Sequence, residues 1–78
     1  MTPEQSRAAR GWLDWSQEQL ATAAKVSLST VRDFEKGRRK PIGNNLIAMQ
    51  RALEAKGINL TFDPEGKPLG INFTDSAI

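Results

Sequence analysis

The side chains able to do chemistry in this chain are few and mostly of one kind. Cys and His are both absent, which removes thiolate nucleophiles, disulfides and sulfur ligands together with the commonest metal ligand and general base. The Asp, Glu, Lys, Ser and Thr that remain form neither a Gly-rich phosphate loop nor a nucleophile elbow. No enzyme, cofactor site or metal site is therefore expected. What is left is the recognition of anions. Lys36, Arg38, Arg39 and Lys40 put four cations into five residues, a density of charge that attracts phosphate backbones by releasing their counterions. Taken alone, the same run also suits an ordinary solvated loop.

The net charge of +2 conceals an uneven distribution. Residues 25–56 hold eight Lys and Arg against three Asp and Glu, whereas the segments before and after are slightly acidic. A hydrophobic fraction of 38% with 26% charged residues fits a soluble globular domain. No run approaches a membrane span, and Met1 to Arg10 lack the apolar stretch of a secretion signal, so a cytoplasmic protein with no membrane partner is expected. With 78 residues there is room for one domain, which buries only about 60% of its unfolded surface and favours a compact binding module over a deep catalytic cleft.

The elements that must position the cations follow from caps and periodicity. Thr2-Pro3-Glu4-Gln5 reads as a helix start, with Thr2 and Gln5 as a capping box, and this first helix should end between Gly11 and Asp14. Ser16 and Gln19 repeat the signature for a short second helix, Gln17 to Ala24. Ser27 caps a third, Leu28 to Lys36, with Val31 and Phe34 as its buried stripe and Gly37 as its stop. Only Lys25 to Ser27 separate the second and third helices, which makes them a helix-turn-helix over about residues 16–36. After a loop from Arg38 to Asn44, Leu46, Ile47, Met49 and Leu53 keep a helical period until Gly57. Ile58, Leu60 and Phe62 then alternate with polar residues. Asp63-Pro64-Glu65-Gly66 supplies a type I turn, and Leu69, Ile71 and Phe73 alternate again as the second strand of an antiparallel hairpin. The tail from Thr74 to Ile78 is expected to fray. Trp15 is read as core with Leu13, Leu20, Val31, Phe34, Leu46 and Leu53, while Trp12 is left open between core, phosphate-facing edge and interface.

The stretch from Ser16 to Gly37, SQEQLATAAKVSLSTVRDFEKG, resembles the Cro/repressor-type (XRE) helix-turn-helix family in its polar cap, Gln, Leu-Ala, turn, Val-Ser, β-branched core residue and Glu-x-Gly. The likeness extends to about Gly57. It implies a four-helix domain over residues 1–57, which with the hairpin extension over 58–78, read from its own alternation and outside the core family pattern, gives a mainly α fold. One departure is Lys25, which stands where the family usually has a left-handed Gly, a conformation that costs a non-Gly residue roughly 1 kcal/mol.

The resemblance implies that the third helix enters the major groove of double-stranded DNA, with Ser27, Leu28, Ser29, Arg32 and Asp33 at base edges. The Arg32 guanidinium matches the O6 and N7 acceptors of guanine, Leu28 suits a thymine methyl and Asp33 a cytosine amine. The competing readings are an intrahelical pair between Arg32 and Asp33 and a core position for Leu28. Gln17, Lys25, Lys36, Arg38, Arg39, Lys40 and Asn44 are the corresponding backbone contacts, which position without specifying. Arg10 and Glu35 match a pair that bridges the first and third helices in similar proteins. A homodimer on an inverted repeat is the expected assembly of this transcriptional regulator, bacterial or from a mobile element. Ile58, Leu60, Phe62, Leu69, Ile71 and Phe73 either pack on the domain or pair with a second chain. The alternative is an antitoxin or interaction module whose hairpin holds a regulatory protein partner.

Overall fold

The computed structural model describes residues 1–74. Reciprocal caps start the first two helices. The Thr2 hydroxyl accepts from the Gln5 N–H at 3.1 Å and Gln5 Oε1 accepts from the Thr2 N–H at 3.0 Å, opening α1 (Pro3–Leu13). Ser16 and Gln19 do the same at 3.0 and 2.8 Å for α2 (Gln17–Ala24). Ser27 accepts from Thr30 at the start of α3 (Leu28–Glu35).

The helices end on left-handed residues that let two orphan carbonyls be satisfied at once. After α1, Asp14 has φ 56° and Trp15 donates to the Arg10 carbonyl. After α2, Lys25 has φ 59° and Val26 donates to Ala21, so the strained turn expected at Lys25 is present. After α3, Gly37 has φ 72° and Arg38 donates to Asp33.

α4 (Gly43–Glu54) begins earlier and ends earlier than the sequence pattern suggests. Asn45 and Leu46 both donate to the Ile42 carbonyl, so Gly43 and Asn44 belong to its first turn and not to the loop. At the other end Lys56 and Gly57 donate to Leu53 and Glu54, three-residue bonds that close the helix before Gly57 is reached.

Ala9, Leu20, Ala21, Ala24, Val31, Phe34, Met49, Leu53 and Ile58 form the core, with Leu13, Trp15, Leu28 and Leu46 packed around it. α2 packs against both α4 and α3, and α1 against α3. β1 (Ile58–Phe62) and β2 (Pro68–Phe73) pair antiparallel, with Ile58 opposite Phe73 and Leu60 opposite Ile71. The turn closes with Gly66 donating to Asp63, whose side chain accepts from the Glu65 and Lys67 N–H groups.

The apolar face of the hairpin packs on its own domain: β1 lies against α4 and β2 against α1. Ile58 is buried and Leu60 and Ile71 are half-buried. The alternation expected along both strands fails at the far end, where a register shift after Thr61 leaves Phe62 and Leu69 exposed. Gln5 locks the arrangement. Its Nε2 donates to the carbonyls of Gly70 at 3.0 Å and Thr61 at 3.4 Å, while its oxygen still closes the α1 cap. Thr74 is not frayed: it donates to Gly57 at 2.8 Å and accepts from the Asn59 side chain at 2.8 Å. The rest of the tail, Asp75 to Ile78, lies outside the described residues.

Candidate nucleic-acid interface

α3 turns Val31, Phe34 and Glu35 inward and leaves Ser29, Arg32, Asp33 and Lys36 along the opposite stripe at i, i+3, i+4 and i+7. Arg32 and Lys36 are exposed, and among the described residues Arg32 forms no ion pair with Asp33. Its guanidinium therefore keeps its paired donors for an outside acceptor. Ser27 holds both Thr30 Oγ1 (2.7 Å) and Ser29 Oγ (3.1 Å), which orders the hydroxyls at the head of the stripe. Leu28 is half-buried against the core, so much of its surface goes to packing.

A cleft of about 220 Å³ runs between α3 and the start of α4, lined by Ser29, Thr30, Asp33, Arg39, Lys40, Pro41, Ile42 and Asn45. It brings expected base-reading residues beside expected backbone contacts. Arg38, Arg39 and Lys40 are all exposed, as is Lys25 in its left-handed turn. The head of α4 has no side-chain cap, since Ile42 has no acceptor to offer, and Asn44 lies exposed in its first turn. The opening amides of α4 are thus available to an anion, as are those of Gln17 and Glu18 at the head of α2.

Behind this surface sits a buried carboxylate. Glu35 is 3% exposed and accepts from Arg10 Nε at 2.8 Å, Arg10 Nη2 at 2.6 Å, Ser6 Oγ at 2.5 Å and Gln17 Nε2 at 3.1 Å. Arg10 also donates to the Trp15 carbonyl at 2.9 Å, and Arg7 donates to the Glu35 carbonyl. One side chain of α3 is thereby tied to α1, α2 and the turn between them. Burial pushes the Glu35 carboxyl up, but the hydrogen bonds from Arg10, Ser6 and Gln17 and the charge of Arg10 outweigh it and hold the group below its ordinary range. The hydrogen bond to Glu35 raises Arg10 above its own, against the effect of burial.

The Arg10–Glu35 pair is the one the family resemblance implies; Ser6, Arg7 and the inward turn of the Gln17 nitrogen were not foreseen. Ser6 and Arg10 are one helical turn apart, which could have marked them as neighbours on one face. Nothing in the residue types distinguishes Gln17 as a ligand of the ion pair.

The profile of the Helix-turn-helix family matches residues 7–58. The chain belongs to the Cro/repressor-type helix-turn-helix family. The match covers two-thirds of the chain, from α1 through the whole of α4, and stops at the first residue of the hairpin. Family membership makes this a DNA-binding regulator domain, with α2 and α3 as the helix-turn-helix. No curated protein matches the chain. Among the described residues no helix is long and apolar enough to cross a membrane.

Proposed function

We propose that the protein is a small cytoplasmic transcriptional regulator, with no catalytic role, that binds double-stranded DNA sequence-specifically as a homodimer on an inverted repeat. The observation that carries this reading is the outward stripe of α3, Ser29, Arg32, Asp33 and Lys36, beside the exposed cations of Arg38 to Lys40. In this arrangement α3 lies in the major groove, Arg32 reads guanine, and Ser27, Ser29 and Asp33 read neighbouring bases. Leu28 offers only its uncovered edge to a thymine methyl. Lys25, Lys36, Arg38, Arg39, Lys40 and Asn44 hold phosphates, and Gln17 does so through the N–H groups at the head of α2.

The test is selection of bound sequences from random duplex DNA near physiological salt, followed by sequencing. An enriched inverted repeat, with half-sites about one helical turn apart, supports a dimeric operator-binding regulator. Weak binding that enriches nothing and disappears as salt rises defeats the sequence-specific reading.

A further inference from the structure

Ile42 ends the loop of cations and opens α4, and at 71% its side chain is the most exposed of the large apolar groups among the described residues. The backbone beneath it is firmly held. At φ −60° and ψ 150° Ile42 has nearly the conformation of Ser27, at φ −72° and ψ 152°, and its carbonyl accepts from the Asn45 and Leu46 N–H groups at 2.9 and 3.2 Å. Ser27, like Thr2 and Ser16, turns a hydroxyl onto the third amide of its helix, whereas Ile42 makes no such bond. A hydroxyl at this position would stabilise the helix. With so little of its surface packed, the isoleucine gives the fold nothing in return.

The surroundings of this side chain are those of the candidate interface. Ile42 lines the 220 Å³ cleft with Ser29 and Asp33 from the outward stripe of α3 and with Arg39 and Lys40 from the loop. Both cations are exposed, and Pro41 stiffens the chain between them and Ile42. A single exposed aliphatic group is ordinary on a protein surface. Here it continues a surface whose charge is complementary to DNA, the ligand of the family. A DNA strand is not uniformly polar: between successive phosphates it presents a deoxyribose, whose C–H groups make a small apolar face. Cations suit the phosphates, and an aliphatic side chain beside them suits the sugar.

We propose that Ile42 is a DNA-contact residue that packs on the deoxyribose between the phosphates held by Arg39 and Lys40, and that the chain keeps it there in place of a helix cap. The contact rests on the DNA-binding reading of the α3 face and not on the operator reading, because the sugar is the same at every base pair. It adds affinity without sequence information and without releasing a counterion. Its signature is opposite in sign to that of a structural residue: a capping residue in its place makes the protein more stable and a weaker binder. Burial that recovers roughly half the transfer free energy of an exposed isoleucine corresponds to about tenfold in affinity for each bound domain.

The experiment measures thermal melting of the full chain alone, and its binding to several unrelated duplexes over a range of salt, for wild type, Ile42→Ser, Ile42→Ala and Ile42→Val. Ile42→Ser is expected to melt about 4–8 °C higher, the shift that one helix cap gives a domain of this size. It binds every duplex about tenfold more weakly per domain, with the salt slope unchanged. Ile42→Ala loses similar affinity without the gain in melting temperature, and Ile42→Val, which keeps most of the apolar surface, binds within about threefold of wild type. Ser and Ala variants that bind like wild type overturn the contact. So does a loss confined to one duplex sequence, which makes Ile42 a base reader, or a loss with the salt slope lowered by about one, which makes it the support of a phosphate contact. A Ser variant that melts below wild type also overturns it, since weaker binding then follows from a weaker fold. Sequence selection that enriches nothing defeats the operator reading while the Ile42 contact is still read on any duplex; a wild-type chain that binds no duplex at any salt defeats both.

Discussion

Arg10 grips Glu35 with two nitrogens, Nε 2.8 Å from Oε2 and Nη2 2.6 Å from Oε1, while its third nitrogen is spent on the Trp15 carbonyl. The carboxylate is the more deeply buried partner, its side chain 1% exposed against 17% for Arg10. Removing one member strands the other's charge, which costs about 3–5 kcal/mol. Glu35→Ala is expected to lower the urea midpoint by an amount that corresponds to this loss, with the m-value unchanged. A variant within about 0.5 kcal/mol of wild type, the range of an ordinary surface substitution, would show that the pair holds nothing together.

The same carboxylate sets an acid limit. The folded-state pKa of Glu35 is depressed, so its contribution is fully present above the unfolded value of about 4.3 and is lost as pH falls through the folded value. Stability measured by chemical denaturation should therefore be flat through neutral pH and fall below about pH 4. In Glu35→Gln this part of the acid slope should be missing. An identical slope in both proteins would assign the acid sensitivity to other carboxylates.

Lys25 is the strained residue of the helix-turn-helix. At φ 59° it occupies the left-handed region that glycine adopts without penalty. Lys25→Gly should gain up to about 1 kcal/mol, less the extra freedom that glycine gives the unfolded chain. A lysine that also holds a phosphate would make the same variant bind DNA more weakly with a salt slope reduced by about one. Thermal melts and salt titrations separate the two effects.

Under the proposed operator reading, Arg32 and Arg39 divide the work of recognition. Arg32→Ala should lose about 1–3 kcal/mol of discrimination at one base position while general affinity holds. Arg39→Ala should weaken all duplexes alike and reduce the salt slope by about one. Binding of operator and scrambled duplexes at several salt concentrations reads both. Equal losses of specificity in the two variants would overturn the division.

The helices were legible because their signals are local. Thr2 with Gln5, Ser16 with Gln19, Ser27 and Gly37 each act within a turn of their own position. The start of α4 was not, because Ile42 carries no cap and Gly43 and Asn44 read as loop residues; only the bonds from Asn45 and Leu46 to Ile42 place them in the helix. The hairpin's alternation was visible, but the register shift after Thr61 depends on pairing across strands and has no signature in β1 alone. In the candidate interface the cluster of cations was read from charge and Arg32 from the family resemblance, and the structure leaves both exposed. The half-burial of Leu28 and the inward reach of Gln17 depend on neighbours distant in sequence. Trp12 could not be placed from sequence, since its surroundings are made by Phe73.

The bond from Gln5 to the Gly70 carbonyl joins residues 65 positions apart. During synthesis, α1 emerges from the ribosome before the strand that receives its glutamine has been made, and the α1 surface that β2 covers stays open until then. A chain cut before β2 is expected to keep its caps and helices and to leave the α1 side of the domain uncovered. The second strand thus closes the α1 side of a core that is otherwise built almost entirely by the helices.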